Sequence, residues 1–385
     1  MAEKRIYTHI ATLIGYALLF WPLAVQTAPA ETCLVGFDVG SSGIRAGSPT
    51  SETTAKVKAD YLADVWQDNR IDATNETTIT AFISLPKKLG LTGCLGLAGG
   101  YSAWRLAMEN GNPGDVAKTL AEFRRRGGVY FFIIPQDVEG SYGYTAAQKI
   151  LGERLRTPFI IDIGGGSLQI ASRRKGWGAP LGQKSWRKLF CQQVKGSKTN
   201  DCSPNPVGPQ AVELARQVLA PFVAEARSTL GQGFELTAVS PLVVHGMFPL
   251  LRTLAQTQPN IAAGVDATRF SRVALAEAIH RLAHLDDSGL ANWLAHLAAT
   301  HGLPASQKTF IPTHVTDMLL LYTLMEGLDI ERVEVGEADI TNVPGILADP
   351  RPREWSRHYF CYLQRLQQQG INAFLSDPNT CPSQP

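Results

Sequence analysis

Two segments of this 385-residue chain read as copies of one another. Residues 36–48, GFDVGSSGIRAGS, and residues 159–172, FIIDIGGGSLQIAS, each run along an apolar strand to Asp, then Gly, then a Gly/Ser turn and a returning strand. The aspartates, Asp38 and Asp162, stand 124 positions apart. An internal repeat of this kind implies two similar halves facing each other. In the turns, Gly40, Ser41, Ser42 and Gly43 and then Gly164, Gly165, Gly166 and Ser167, the glycines lack a Cβ, so backbone N–H groups can converge on one anion. Serine hydroxyls add further donors. A carboxylate beside an anion repels it unless a cation lies between, which makes Asp38 and Asp162 candidate ligands for Mg2+ or another divalent cation. Two such loops would clamp a phosphate chain between domains.

The rest of the chain alternates strand and helix. CLVGFDVG, LTGCLGLAG, GVYFFIIP, PFIIDIGGG with LQIASRR, TAVSPLVVHG and RVEVGEA read as strands. SAWRLAMENG, DVAKTLAEFRRR, GPQAVELARQVLAPFVAEARSTL, most of 270–303, and THVTDMLLLYTLMEGLDI read as helices. This alternation predicts α/β layers rather than a sandwich or a bundle. Residues 31–155 are expected to form one domain, completed by about 325–385, and residues 156–324 the second.

Lys4 and Arg5 precede an uncharged run that ends at Ala28-Pro29-Ala30, the pattern of a cleaved export signal over residues 1–30. Trp21-Pro22 interrupts the run, which leaves it short for a bilayer span of about 20 residues. The mature chain is therefore expected without a membrane span, exported to a periplasm or secreted. Its cysteines, Cys33, Cys94, Cys191, Cys202, Cys361 and Cys381, suit disulfides in that setting. Short separations favour Cys191 with Cys202 and Cys361 with Cys381, leaving Cys33 for Cys94, among the 15 pairings that six cysteines allow. No CxxC pair and no HExxH arrangement occurs, which argues against a zinc hydrolase. Without residues 1–30, which hold Lys4, Arg5 and Glu3, the 36 basic and 34 acidic side chains become 34 and 33. A balance of +1 provides no field for nucleic acid. Segment 173–188 alone is one-sided, with six basic and no acidic residues, and reads equally as a solvated hairpin or a polyanion track.

DVGSSGIR, IDIGGGS and their spacing resemble the two phosphate motifs of the actin, sugar kinase and heat-shock ATPase superfamily, and within it those of the exopolyphosphatase and guanosine pentaphosphate phosphatase (Ppx/GppA) family. The resemblance continues through LAGGYSAWRLAMENG, which would place Arg105 near the phosphates, and through VEGSYGY, whose glutamate, Glu139, corresponds to the family's catalytic one. IPTHVTDMLLLYTLMEGLDIERVEVGEADI is similar to its closing helix and strand. It implies two actin-like, ribonuclease H-like domains across a cleft, and hydrolysis of terminal phosphoanhydrides with Glu139 orienting the attacking water.

Gln169 stands where many family members have a glutamate, and DVGSSG, VEGSYGY and GGGSLQI are close to secreted apyrases. Gln169 is a candidate for positioning the water. His245, before Gly246, reads as a buried histidine at the place of a paired glycine. Residues after Leu347 read as a short tail, so the C-terminal helical domain attached to longer family members is not expected here. Inorganic polyphosphate is the expected substrate, with a nucleoside di- or triphosphate as the alternative and a non-catalytic polyphosphate sensor as a third reading. A homodimer is left open.

Overall fold

The computed structural model describes residues 33–49, 54–199, 202–338 and 340–382. The expected leader, 1–30, lies outside them. A five-stranded sheet is built from β1 (Leu34–Gly40), β2 (Gly43–Gly47), β3 (Ala55–Lys58), β4 (Leu95–Gly100) and β5 (Val129–Ile133), in the order β3-β2-β1-β4-β5. A six-stranded sheet takes β6 (Phe159–Ile163), β7 (Leu168–Ala171), β8 (Gly176–Ala179), β9 (Leu236–Ala238), β10 (Arg269–Ser271) and β11 (Arg332–Val335), in the order β10-β11-β9-β6-β7-β8. The repeat in the sequence is thus a repeat in topology. In each sheet three antiparallel strands, β1-β2-β3 or β6-β7-β8, continue into parallel strands, β4 and β5 or β9 and β11.

Buried apolar residues form a large cluster around each sheet. In the first, the helix Ser102–Asn110 is pinned by Trp104, whose ring lies 4.5 Å from that of Phe131 on β5 and 5.8 Å from Phe123. Aromatic pairs of this kind add about 0.5–1.5 kcal/mol beyond their burial. Because successive helical residues are rotated by about 100°, fixing Trp104 in the core turns its neighbour Arg105 toward the other sheet.

The stretch after Leu347 is more than a tail. The helices Arg351–Arg357 and Tyr359–Gln369 bury Trp355, Tyr359, Tyr362 and Leu366 in the first core. Tyr359 and Tyr362 accept the backbone N–H groups of Phe131 and Ile133 on the edge strand β5, at 3.1 and 2.8 Å.

Segment 237–246, expected as one strand, holds only the last two residues of β9 before Leu242–Met247 turns into a wide helical coil. Pro241 cannot donate to a ladder, and Ser240 O takes the amides of Val243 and Val244 instead. The disulfides are Cys33–Cys94, Cys191–Cys202 and Cys361–Cys381, as expected from the spacing. No helix among the described residues is long and apolar enough to cross a membrane.

Candidate active site between two glycine-serine hairpins

Hairpin β1–β2 closes on Ser41 and Ser42, with Gly40 paired to Gly43 and Asp38 to Arg45. Gly43 has φ 149, and a Cβ there would strike the carbonyl of Val57 on β3. Hairpin β6–β7 closes through Gly164, Gly165, Gly166 and Ser167, with Gly164 N donating to Ser167 O at 2.9 Å. The two loops touch: a Cβ on Gly165 would stand 2.5 Å from Ser41 Oγ and 3.1 Å from Ser42 Oγ. Side-chain-free backbone is what allows this approach.

Both loops, Asp38, Asp162 and Glu139 line one cavity of about 380 Å³. Asp38 Oδ2 accepts the amide of Asn342 at 2.9 Å. Asp162 pairs with Gln169 across the β6–β7 ladder and receives no side-chain or backbone hydrogen bond on its carboxylate from the described residues. Burial first, then the carboxylates of Glu139 and Asp38, push Asp162 up to about 7 against the pull of Arg45.

Glu139 lies in the first turn of the helix Gln136–Leu151. The glycines of VEGSYGY explain how that helix reaches the site. A Cβ on Gly140 would be 3.0 Å from Ala171 on β7, and one on Gly143 would be 3.4 Å from Ile160 on β6, so the helix presses directly on the second sheet. Glu139 is 7% exposed and forms an ion pair with Arg105, Oε2 to NH2 2.6 Å. Burial raises its carboxyl above the usual range, Arg105 opposes this, and Asp38 adds to it.

Gln169 is buried behind the cavity wall, whereas Arg105 lines an adjoining cavity of about 390 Å³ that shares Ser102, Gly166 and Ser167 with the first. Arg105 also donates to Ile134 O at 2.9 Å and to Ser167 Oγ at 3.3 Å, and Gln169 Nε2 donates to the same Ser167 Oγ at 2.9 Å. A serine oxygen has two lone pairs. With both taken, Ser167 keeps its own proton to donate toward the cleft.

Several elements missed in the sequence hold the second loop. The helix Gln183–Gln193 begins against it, with Gln183 N donating to Gly164 O at 2.8 Å and Lys184 N to Gly165 O at 2.7 Å. Gly182 is required there, since a Cβ would meet Gly164 O and Gly166 N at 2.5 Å and collide with Ser167 N. Gln183 Nε2 in turn donates to Thr313 Oγ1 and Asp317 Oδ2, both at 3.0 Å. Asp317 lies in the first turn of the buried helix His314–Gly327, where burial pushes it up to about 7, while burial lowers its neighbour His314 to about 4 against a contact with Gln307 O. A hydrogen-bonded pair of turns in that sequence register gives no motif to read.

The basic segment 173–188 is not one track. Lys184 pairs with Asp60 at 3.0 Å, Arg187 donates to Cys202 O at 2.8 Å, and Lys188 lies 4.5 Å over the Trp66 ring. Lys56 and Lys58, on β3, line the cavity instead. His245 is exposed and outside the cavity, whose wall there is Pro241, Leu242 and Phe310. A larger cavity of about 1020 Å³ lies among the helices of the second sheet and is lined by His280, His284, His296 and His301, but by no residue of either hairpin. Among the described residues, no group of three or more His, Cys, Asp or Glu is arranged to hold a metal ion.

Two matched mixed sheets, each with a Gly/Ser hairpin turned into a shared cleft, define the actin-like ATPase fold. Solved structures bear this out. The Ppx/GppA phosphatase of Aquifex aeolicus, in its type II variant, is 13% identical with a TM-score of 0.55, over 82% of this chain and 97% of that one. A second structure of the Aquifex aeolicus Ppx/GppA family member gives a TM-score of 0.57 at 13% identity, over 82% and 95%. An exopolyphosphatase from Cytophaga hutchinsonii is 13% identical with a TM-score of 0.51, over 82% and 96%. At such identities the likeness is one of fold. No protein-family model and no curated protein sequence matches this chain.

Proposed function

We propose that this chain is an exported phosphoanhydride hydrolase that releases the terminal phosphate of inorganic polyphosphate. The observation that carries the reading is the contact of the two hairpin loops at Gly165 and Ser41 over a cavity that also receives Asp38, Asp162 and Glu139. Its similarity in fold to structures described as Ppx/GppA phosphatases and exopolyphosphatases supports the same chemistry. The three disulfides and the signal-like residues 1–30 support export.

Phosphoanhydride hydrolysis needs positioning and charge neutralisation more than covalent chemistry. The loop amides and the hydroxyls of Ser41, Ser42 and Ser167 hold the terminal phosphoryl group. Glu139 accepts a proton from water as the water oxygen bonds to phosphorus and the bridging oxygen leaves with the shortened chain. Arg105 aims Glu139 and opposes its protonation. Gln169 fixes the Ser167 hydroxyl rather than the water. Two hard oxygen ligands close to phosphate fit Mg2+, which keeps most of its waters and uses one or two carboxylates plus substrate oxygens. Asp38 and Asp162 would hold it, and burial together with the like charge of Glu139 and Asp38, which Arg45 offsets only in part, fits a cation beside Asp162. The ion would neutralise phosphate charge when bound. Lys56 and Lys58 at the mouth suit a polyanionic chain, whereas the apolar wall of Leu242 and Phe310 would suit a nucleotide base.

The test is phosphate release by the purified mature chain with magnesium, from long polyphosphate, ATP and ADP in parallel. Release from polyphosphate that disappears in Glu139→Ala is expected. Faster release from ATP and ADP would make the protein a nucleotide hydrolase, and tight polyphosphate binding without release a sensor.

A further inference from the structure

One polar group in the cleft has no task in the reaction just described. Tyr101 joins β4 to the helix Ser102–Asn110, is 1% exposed, and lines the same cavity as the two hairpins and Glu139. Its backbone is held at both faces: its N–H donates to Val39 O at the end of β1 at 3.1 Å, and its carbonyl accepts Trp104 N at 2.7 Å. Its hydroxyl has no hydrogen-bond partner among the described residues. A buried donor left without a partner is destabilising, so its persistence requires an explanation.

Three features show that the phenol is placed on purpose. Gly99 is shaped around it, because a Cβ there would stand 2.7 Å from Tyr101 Cζ and collide with the hydroxyl itself. Ser102, the next residue, has φ 23, a conformation that side-chain-bearing residues rarely adopt, and it lines the same cavity. Backbone strain of this kind persists where the surrounding structure enforces it, often at functional sites. The electrostatic setting also keeps the group a donor. Burial foremost, then Asp38, Tyr142 and Glu139, hold the phenol well above its usual range against the pull of Arg105, so it stays neutral and protonated.

We propose that Tyr101 is a further catalytic residue, whose hydroxyl donates a hydrogen bond to a non-bridging oxygen of the phosphoryl group under attack. The proposal rests on the hydrolase reading above. Charge on those oxygens is what the transition state redistributes, and a donor fixed beforehand in a water-poor site acts there without reorganisation. Asp38 and Glu139 are acceptors in the same cavity, yet neither takes the proton of Tyr101, so the hydroxyl is kept for an oxygen that arrives with substrate.

Tyr101→Phe removes the hydroxyl alone. The expected result is a fall in kcat of about 10- to 100-fold with KM changed less than about threefold. The thermal midpoint of the substrate-free chain should stay equal or rise, since the variant loses an unpaired buried group. Unchanged kcat overturns the proposal, as does a lower kcat matched by a lower midpoint, which would make the residue structural. Calorimetric titration with orthovanadate, a mimic of the five-coordinate phosphorus, provides a readout apart from turnover. Wild type should bind it at least about fivefold more tightly than Tyr101→Phe, while inorganic phosphate binds both alike. If the wild-type chain hydrolyses none of the three substrates, the hydrolase reading fails. The vanadate comparison then decides Tyr101 on its own, with equal affinities overturning the donor role.

Discussion

In hairpin β1–β2 the strand-end aspartate accepts the amide of Asn342, and the loop is open at its start, where a Cβ on Gly40 would meet only Asp38 Oδ1, at 3.9 Å, although Gly43 at its end is pressed on Val57. In hairpin β6–β7 the arrangement is reversed. There the loop is bolted to the helix Gln183–Gln193 by backbone bonds from Gln183, Lys184 and Ser185 and by a tight Gly182, and Asp162 is left facing Glu139 and Asp38 without a donor among the described residues. Near-identical sequence patterns thus carry different duties. One hairpin anchors its carboxylate and leaves the start of its loop, at Gly40, room to adjust, and the other anchors its loop and leaves its carboxylate available to a ligand.

The aspartates offer the strongest way to break this comparison. Under the proposed function, Asp38→Ala and Asp162→Asn should each reduce phosphate release by about a hundredfold or more. Their stabilities should diverge. Asp38→Ala leaves the Asn342 amide without its acceptor and should cost about 1–3 kcal/mol, whereas Asp162→Asn relieves like-charge repulsion and should leave the melting temperature equal or higher in the absence of divalent cation. Equal losses of stability would mean that the two carboxylates are held alike.

The loops can be compared by glycine substitution. Gly182→Ala drives a methyl group into the backbone of the second loop and should cost about 1–3 kcal/mol by overpacking, read by urea denaturation. Gly40→Ala should lie within about 0.5 kcal/mol of wild type. A mild Gly182→Ala would show that the second loop yields more readily than its contacts suggest.

A subtler difference comes from pH. Asp317, which supports the second loop through Gln183, ionises at 3.8 in the unfolded chain and at about 7 when folded. Between these values the folded state binds more protons, so this group's contribution to stability declines as pH rises. His314 acts in the opposite sense: its folded value near 4 against 6.5 makes stability decline as pH falls through that window. The melting-temperature difference between Asp317→Asn and wild type should therefore grow from near zero at pH 4 to a maximum above pH 7. A difference independent of pH would remove Asp317 as the titrating group.

What could be read in the sequence was local and patterned. Asp38 and Asp162 were legible because an apolar strand with Asp two residues before its terminal Gly, running into a Gly/Ser turn, leaves few other conformations. Glu139 was legible by resemblance, but its setting was not, because Gly140 and Gly143 look like turn residues although they serve close packing of a helix on β6 and β7. The β-branched run at Val243 and Val244 reads as strand, yet Pro241 ends the ladder. Gln183 and Asp317 carry no signal at all, since they meet across 134 positions of chain, and Gly182 is a lone glycine whose fit against Gly164 and Ser167 shows only once the loop is folded. Tyr101 stood inside a recognised motif, but a hydroxyl without a partner is visible only in three dimensions.

The C-terminal helix has one more effect on the molecule. β5 is the outer strand of the first sheet, apolar and buried on its faces, with amides that another chain's strand could pair with. By placing Tyr359 and Tyr362 against the N–H groups of Phe131 and Ile133, that helix takes the position of a sixth strand without being one. Tyr359 also returns its own proton to Phe131 O at 3.0 Å, so donor and acceptor of that edge residue are both occupied within the same molecule. For a protein expected to work outside the chaperone-rich interior, self-association through this border is blocked by two phenols.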